Sequence, residues 1–451
     1  MRIKVMKFGG TSVSDQESRL LAARKVADSV EAGFSPVVVV SAIGRAGMPY
    51  ATDTLLNLLA EVDPLVPPEP REVDLILCCG EIMSTCVFAQ TLKSLGYPAS
   101  AMTGGQAGII TDDTHGNARI VEIKPADVIR VLQRGRIPVV CGFQGRSRAS
   151  DDSTYGEITT LGRGGSDTTA SALAAALGAE AVEIYTDVDG VKTADPDFVP
   201  DAPTLRQMTY DEIAEIAHQG AKVIHPRAAE IAMKFGIPLF VRSTFSDAPG
   251  TQVVPGEMLG HRRATGVTHT GKLVYLHFDA AFGPDKSVIE SKVYELMADY
   301  RINLFMLNVH PQSFGFAVPR KQLARVKEIL DGLVIPLTDG EPRTYIVQVG
   351  RAGSPEVSAQ EQMLRGLSGF GEIRKCVARL TENCTMVSLI AHEFLQQPGI
   401  YYRMFECLVN SSISILQTSD SPLSISVLVP ENDCARAVAL LHDEFDLASQ
   451  T

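Results

Sequence analysis

Two glycine-rich stretches carry the residues best suited to binding phosphate. The first, KFGGTS, begins at Lys7 and follows an apolar run that predicts a strand. Gly9 and Gly10 have no Cβ atom, so their backbone N–H groups can approach an anion closely. The Lys7 ammonium adds a mobile positive charge suited to phosphate. Taken alone, the pattern is equally consistent with a tight turn beside a solvated lysine.

The second stretch, TLGRGGSDTTASALAAALG, predicts a loop that leads directly into an Ala-rich helix. The loop contains three glycines followed by two polar residues: Gly162, Gly164, Gly165, Ser166 and Asp167. Backbone donors and the positive end of the helix would together form an anion cradle. Arg163 adds a planar fork suited to a carboxylate. Neither GxGxxG nor GxxxxGK[ST] is present, and the simpler interpretation is a helix capped by Asp167.

Further polar side chains stand where strands are predicted to end or helices to begin. YTDVDGVKTADP places Thr186 and Asp187 after a strand, where they could contact a ribose, a base or magnesium, although DVDG is also ordinary turn chemistry. The other candidates are Ser41 and Thr52 in SAIGRAGMPYATD, Glu81 in CCGEIMS and Lys222 in HQGAKVIHPRA. Glu81 is interpreted as following an apolar strand. His218 and His225 are expected to cap or pack rather than to bind metal.

The elements that must position these residues alternate between short apolar strands and amphipathic helices through residues 1–250. This alternation is typical of a parallel sheet covered by helices on both faces. The last strand is expected at IPLFVRST. In such sheets ligands bind beyond the carboxyl ends of the strands. Because the glycine-rich stretches all lie at such ends, we expect one shared site.

The second half of the chain has a different pattern. A Pro- and Gly-rich stretch predicts a linker at residues 251–263. Beyond it, two blocks repeat the order strand, helix, strand, strand, helix, which indicates an internal duplication and suits a split βαβ sandwich. The first block is assigned to residues 273–338. The second is assigned to residues 264–272 together with 339–451, so that the first is inserted into it.

Composition excludes several classes of protein. The chain has 451 residues, a net charge of −12 and a sequence pI of about 5.3, which argues against nucleic acid or an anionic membrane as the main partner. There is no apolar run of about 18 residues to predict a membrane span, and no signal-peptide pattern. Eight cysteines occur without metal-ligand spacing. A cytoplasmic protein with reduced, buried thiols and no metal held by its side chains is expected.

Taken in order, the motifs KFGGTSV, VVVVSAIG, CGE, GRGGSDTTA, YTDVDGV and GAKVIHPRA resemble those of aspartate kinases, and most closely the monofunctional, diaminopimelate-sensitive branch. The resemblance covers essentially the whole chain and identifies the two C-terminal blocks as tandem ACT domains. It implies an αβα sandwich with a mostly parallel sheet, the amino-acid kinase fold, over residues 1–250, followed by two ferredoxin-like α+β domains. It also implies phosphorylation of the side-chain carboxylate of L-aspartate by ATP and Mg²⁺, an early step of lysine, threonine and methionine synthesis.

The resemblance assigns roles to the candidate residues. Those implied in nucleotide binding are Lys7, Phe8, Gly9, Gly10, Ser41, Thr186, Asp187, Lys192, Asp195, Lys222 and Val223. Those implied in substrate binding are Thr52, Glu81, Arg163, Gly164, Gly165 and Ser166. Lys7, Asp167 and Lys222 are the implied catalytic residues. Phosphoryl transfer to a carboxylate needs no general base, so positioning and positive charge should dominate; Glu81 suits the substrate ammonium and Arg163 its α-carboxylate.

Three residues depart from the family pattern. Lys192 stands where an aromatic residue often packs near adenine, Asp197 replaces an arginine, and Phe305 stands where an aspartate is common in the first ACT block. Asn308 and Gln417, at matching places in the two blocks, are candidates for effector contact. The implied effector is meso-diaminopimelate, lysine or threonine, and a homodimer through the ACT domains is expected.

Two alternatives remain open at the level of sequence. One is a kinase for glutamate or N-acetylglutamate, against which KFGGTS and the duplicated C-terminal blocks argue. The other is a catalytically inactive amino-acid sensor that keeps the fold. Retention of Lys7, Arg163, Asp167 and Lys222 argues against that second alternative.

Overall fold

The computed structural model describes residues 1–63, 66–148, 156–220, 223–256, 264–350, 355–365, 370–391 and 399–449. The chain divides into two compact units. The first is built from the described part of Met1–Gly266, and the chain returns to it at residues 390–391 and 446–449. The second is built from the described residues between Val267 and Phe445. The boundaries of the individual ACT domains remain predictions.

The first unit alternates strands and helices as its sequence predicts. In chain order its elements are β1 (Ile3–Phe8), α1 (Gln16–Glu31), β2 (Ser35–Val40), α2 (Thr52–Ala60), α3 (Pro70–Ser94), β3 (Ala99–Met102), β4 (Ile109–Thr111), β5 (Ile120–Ile123), α4 (Ala126–Gln133), β6 (Ile137–Cys141), β7 (Gln144–Ser147), β8 (Ile158–Thr160), α5 (Gly165–Leu177), β9 (Ala181–Thr186), β10 (Gln207–Thr209), α6 (Tyr210–His218), α7 (Pro226–Phe235), β11 (Leu239–Ser243) and β12 (Thr251–Val254).

Among the described residues the main sheet has eight strands in the order β10-β12-β11-β9-β1-β2-β6-β3. All neighbouring pairs are parallel except β11 and β12. Successive residues of β1 face opposite sides: Val5 packs with Leu173 of α5, whereas Met6 packs with Val26 of α1. The central strand β2 is buried on both faces, which explains its unbroken apolar run. The predicted αβα sandwich is confirmed.

A second, four-stranded sheet in the order β5-β4-β7-β8 was not predicted from the sequence. Its strands have only three or four residues and include Thr, Gln and Arg, so they carry too little apolar periodicity to be recognised. The sheet matters for the site because β8 ends at Thr160, immediately before the second glycine-rich loop.

The interpretation of CCGEIMS was wrong. Glu81 does not follow a strand but lies in the middle of the 25-residue helix α3, which begins with Pro70 in its first turn. The apolar run before Glu81 is short, and a run of that length does not distinguish a strand from a buried helix. In the described residues α3 is the one helix long and apolar enough to cross a membrane, with half of its most apolar window buried. It packs on β3, β6 and β8 as a core helix.

The linker expected at residues 251–263 begins with a strand. β12 pairs with β11 and β10 and so extends the main sheet beyond IPLFVRST. Four residues between a glycine and a proline give little period-2 signal, which is why the stretch resembled a linker. The thiols are likewise less uniformly buried than expected, since Cys79 and Cys86 are exposed on α3.

The second unit contains both duplicated blocks in the predicted order. Its elements are β13 (Gly266–Asp279), α8 (Asp285–Asp299), β14 (Phe305–His310), β15 (Ser313–Pro319), α9 (Leu323–Leu330), β16 (Val334–Leu337), β17 (Arg343–Val349), α10 (Pro355–Arg365), β18 (Glu372–Ile390), α11 (Ile400–Asn410), β19 (Gln417–Ser421), β20 (Ser424–Pro430) and α12 (Cys434–Glu444). β13 of the first block and β18 of the second are neighbours in one sheet. The sequence pattern missed β16, β17 and α10, which lie between α9 and β18.

Candidate active site

The first glycine-rich stretch forms a turn at the carboxyl ends of three neighbouring strands. The Gly9 N–H donates to Tyr185 O at the end of β9 (3.3 Å), and the Ser41 N–H, just beyond β2, donates to Phe8 O (3.1 Å). Residues Gly10–Val13 then form a 3₁₀ turn. The predicted convergence of strand ends at this turn is therefore present in the structure.

The two glycines of this turn have different roles. A Cβ on Gly10 would lie 2.5 Å from Gly44 O and 2.9 Å from Ala42 O, so the loop after β2 leaves no room for a side chain there. A Cβ on Gly9 would meet only ordinary contacts, at 3.6 Å from Lys7 Nζ and 3.8 Å from Tyr185 O. Gly10 is thus required by the close approach of two loops.

Lys7 faces α5 and forms an ion pair with Asp167. The Nζ–Oδ1 distance is 2.7 Å, and the two side chains are only 12% and 11% exposed. The His225 N–H donates to the other carboxylate oxygen, Oδ2, at 3.1 Å. Asp167 is not the cap of α5, because the helix is preceded by Gly164 in the left-handed region (φ 70°). Its carboxylate instead joins β1 to the start of α7.

The second glycine-rich loop lies against the start of α7. A Cβ on Gly164 would overlap the imidazole ring of His225, so only glycine fits between the loop and this ring. His225 caps α7, as expected, with its Nδ1 accepting from the Arg227 N–H at 3.3 Å. Burial lowers the pKa of His225 against an opposing effect of Asp167. Lys222 lies outside the described residues, and Val223 is partly buried against the core.

Glu81 is a buried carboxylate beside the glycine turn. It is 2% exposed, and its Oε1 accepts from the Ala42 N–H at 3.1 Å. Its Oε2 is buried without a hydrogen-bond partner among the described residues. Burial raises the pKa of Glu81 to about 8, partly offset by the Ala42 N–H. Because Ala42 contacts Glu81 through its N–H and crowds Gly10 through its carbonyl, residues 81 and 10 lie on either side of one peptide segment.

The remaining substrate-binding candidates are placed by neighbouring loops. Ser166 is buried next to Gly142, where a Cβ would come within 2.6 Å of its Oγ, and the Gly142 N–H donates to Val40 O at the end of β2 (3.0 Å). Arg163 is exposed on the loop between β8 and α5. Thr52 is partly exposed and is the first residue of α2, whose capping position is occupied by Ala51.

The nucleotide-binding candidates lie mainly around the end of β9. Thr186 Oγ1 donates to Asp187 Oδ1 at 3.1 Å, and Asp187 forms an ion pair with Arg45 from the loop after β2. Arg45 was missed, although a cation between two glycines at a strand end was a usable signal.

Two other candidates of this group have partners within their own loop. Lys192 Nζ donates to Ala202 O at 3.0 Å, and the Asp195 carboxylate accepts from the Asp197 N–H at 3.0 Å. Their roles in nucleotide binding stay predictions.

The packing difference between the two glycines predicts different effects on stability. Gly10→Ala should lower the free energy of unfolding by about 1–3 kcal/mol, because the methyl group forces the loop after β2 to move. Gly9→Ala, at φ −72°, should change it by less than about 1 kcal/mol. Thermal unfolding of the two variants beside the wild type measures the difference; equal midpoints for both would contradict the packing argument.

Comparison with known proteins identifies the family. Residues 2–243 match the amino acid kinase family, and residues 387–445 match an ACT domain. The chain is 38% identical to aspartokinase 1 of Bacillus subtilis (strain 168), over 99% of this chain and 100% of the relative, and 36% identical to the aspartokinase of Mycolicibacterium smegmatis, over 99% and 97%.

Solved structures agree with this result. Aspartate kinase from Synechocystis, 25% identical, superposes with a TM-score of 0.61 over 99% of both chains. E. coli aspartokinase III in complex with aspartate and ADP, 24% identical, has the same fold, with a TM-score of 0.71 over 98% of this chain and 99% of that chain. An amino-acid kinase sheet, an ACT region and full-length similarity to curated aspartokinases lead to one conclusion: the chain belongs to the aspartokinase family.

Proposed function

We propose that this protein transfers the γ-phosphoryl group of ATP to the side-chain carboxylate of L-aspartate, giving 4-phospho-L-aspartate. The observation that carries the proposal is the pairing of two subsites around one peptide segment. On one side, the buried Glu81 has a carboxylate oxygen without a partner among the described residues, and it suits a substrate ammonium. On the other side lies the glycine turn with the Lys7 ammonium.

The alternatives fit less well. The relatives matched along the full length of the chain are aspartokinases rather than kinases for glutamate or N-acetylglutamate. An inactive sensor would not need the buried ion pair between Lys7 and Asp167. Burying two charges costs free energy through lost hydration, so the pair is more readily explained by a function. A coupled ATP assay with aspartate, glutamate and N-acetylglutamate distinguishes the three candidates.

In the proposed reaction the protein positions two anions and neutralises their charge. Glu81 binds the α-ammonium and Arg163 the α-carboxylate, which directs the side-chain carboxylate of aspartate toward the glycine turn. A carboxylate oxygen of aspartate forms a bond to the γ-phosphorus, the bond from that phosphorus to the bridging β–γ oxygen breaks, and ADP leaves. No proton has to be removed from the nucleophile. Lys7 stabilises the negative charge on the phosphoryl oxygens, and Asp167 holds its ammonium in place.

The nucleotide side of the proposal uses the strand ends described above. The turn from Phe8 to Gly10 and Lys7 contact the phosphates, and Ser41, Thr186 and Asp187 lie at the ends of β2 and β9, where the rest of the nucleotide is expected. Mg²⁺ bound to the triphosphate would supply further positive charge. The described residues contain no cluster of three His, Cys, Asp or Glu side chains for a metal. The oxygens of Thr186 and Asp187 are the protein groups proposed to contact the hydrated ion.

The ACT region provides the proposed site of feedback control. Asn308 on β14 and Gln417 on β19, predicted to occupy matching places, are hydrogen-bonded to each other, Nδ2 to Oε1 at 3.1 Å. Phe305 packs with Tyr275 and Leu428 in a cluster that joins the two blocks. We propose that lysine, threonine or meso-diaminopimelate binds beside Asn308 on β14 and Gln417 on β19, in a cytoplasmic homodimer. E. coli aspartokinase III, which shares this fold, was solved with lysine and aspartate. If an effector weakens the binding of aspartate, aspartate must in turn weaken the binding of that effector.

Removal of the Lys7 charge should abolish most turnover. Lys7→Met is expected to lower kcat by about 10²–10³-fold, the effect typical of a lost electrostatic contact in the transition state. It also leaves Asp167 without its cation, at a cost of about 3–5 kcal/mol for a buried pair. Adding Asp167→Asn should restore the thermal midpoint but not the turnover.

Lys4→Met is the matched control for Lys7→Met. Lys4 stands on the same strand but faces the other side of the sheet, where its ammonium lies 3.1 Å from Glu183. Steady-state kinetics on all variants test the assignment. Turnover of Lys7→Met within tenfold of wild type, or an equal loss in Lys4→Met, would be incompatible with it.

Arg163→Ala should act chiefly on aspartate binding. We expect the aspartate KM to rise about 10–100-fold, with the ATP KM nearly unchanged, because a charge-assisted pair with the α-carboxylate is lost. Arg163 is exposed, so the thermal midpoint should not move. Steady-state kinetics with each substrate varied in turn measure both constants. A rise confined to the ATP KM would show that the two subsites have been interchanged.

The raised pKa of Glu81 predicts that aspartate binding depends on pH. Below about pH 8 Glu81 is protonated in the site without substrate, whereas binding an ammonium group requires the ionised carboxylate. Aspartate binding must therefore release a proton, and the aspartate KM should fall by up to about tenfold per unit as the pH rises from 6 toward 8. Calorimetry in two buffers of different ionisation enthalpy measures the release. Glu81→Gln should show a flat profile; a flat profile in the wild type would exclude this role.

A further inference from the structure

Asp74 on α3 is a buried carboxylate that the proposed mechanism does not use. It is fully buried, and three separate contacts occupy both of its oxygens. Thr160 Oγ1 donates to Oδ1 at 2.5 Å, and His115 Nδ1 lies 2.7 Å from Oδ2. The Gly116 N–H donates to both oxygens, at 3.1 and 3.2 Å. A carboxylate that accepts hydrogen bonds from two other chain segments has a single orientation. It therefore holds those two segments in place relative to α3.

We propose that Asp74 is a positioning residue that fixes the separation between Glu81 and the loop carrying Arg163, and so sets the affinity for the α-amino acid substrate. The inference rests on the proposed function of those two residues. Asp74 itself contacts neither substrate. Its effect is transmitted through Thr160, the last residue of β8, which stands three positions before Arg163.

The geometry of α3 fixes the distance between Asp74 and Glu81. Asp74 and Glu81 are seven residues apart, close to two turns, and therefore lie about 10 Å apart on one face of the same helix. Both are buried. The helix thus carries at one position the carboxylate proposed for the α-ammonium and, two turns earlier, the carboxylate that holds the end of β8. Neither can shift relative to the other without distorting α3.

The loop before α5 is also held from its other side. Arg227 of α7 donates through Nη1 to Leu161 O at 3.2 Å and through Nη2 to Asn117 Oδ1 at 3.1 Å. A Cβ on Gly162 would lie 2.9 Å from the same Asn117 oxygen. The backbone at 160–162 is therefore enclosed between the His115–Asn117 segment, which Asp74 orients, and the first turn of α7.

The chemistry of an α-amino acid sets the distance that the site must match. The ammonium and carboxylate of an α-amino acid are attached to one carbon, so their separation is fixed. The groups proposed to bind them belong to different elements, α3 and the loop before α5. A binding site of this kind must hold its groups within about 0.5 Å of the productive geometry. The hydrogen bond from Thr160 to Asp74 joins α3 to the end of β8, immediately before that loop.

Thr160→Val tests this link with little change in shape. It removes the hydroxyl that donates to Asp74 and should raise the aspartate KM about 5–30-fold, with the ATP KM within twofold of wild type. Asp74→Asn, which places an amide opposite several donors, should shift the aspartate KM in the same direction and further. Thr159→Val is the matched control, because Thr159 is the preceding residue, is equally buried, and shares its hydroxyl hydrogen bond with Thr111 (2.6 Å). It should leave both KM values within twofold.

A double-variant cycle separates positioning from general stability. If Asp74 acts through the loop, Thr160→Val should add less than twofold to the aspartate KM once Arg163 has been replaced by alanine. Parallel changes in the aspartate and ATP KM values, or the same change in Thr159→Val, would overturn the proposal. So would additive effects of Thr160→Val and Arg163→Ala. If Arg163→Ala alone leaves the aspartate KM unchanged, the proposed substrate site fails instead, and the two failures are thereby distinguished.

Discussion

The ion pair between Lys7 and Asp167 is the interaction on which the arrangement of the site depends. It connects the central strand β1, the first turn of α5 and, through the His225 N–H, the start of α7. Burying an ammonium group this deeply costs free energy unless an anion lies beside it, and Asp167 is that anion. The protein can therefore keep a positive charge ready at the glycine turn without the cost of burying it alone.

Close backbone packing brings the parts of the site together around this pair. Gly10 allows the loop after β2 to approach the end of β1, and Gly164 allows the loop before α5 to approach α7. Ala42, in the first of these loops, contacts both Gly10 and Glu81. These two glycines thus have a packing function beside the proposed exposure of amides to phosphate, since each of them brings a pair of chain segments into van der Waals contact.

Sequence reasoning succeeded where the signal is local. The glycine turn after the apolar strand β1 identified the first loop, and three glycines before an Ala-rich helix identified the second, whose Asp167 meets Lys7. It failed where the role of a residue depends on partners that are distant in the sequence. Asp74 and Arg227 resemble ordinary surface charges in the sequence, and only the fold shows that they hold the loops near Arg163. Strand β12 and the part of α3 before Glu81 were misassigned because short apolar runs carry no distinctive period. Lys222 lies outside the described residues, so its place remains a prediction.

The ion pair between Arg45 and Asp187 is much more exposed to solvent than the ion pair between Lys7 and Asp167. Its side chains are 67% and 36% exposed, whereas those of the inner pair are 12% and 11%. Dissolved ions screen exposed charges over about 8–10 Å but have little access to buried ones. A rise in ionic strength therefore weakens the ion pair between Arg45 and Asp187 more than the ion pair between Lys7 and Asp167. The contact between the ends of β2 and β9 is therefore sensitive to salt, whereas the buried pair that holds Lys7, the proposed catalytic cation, is much less so.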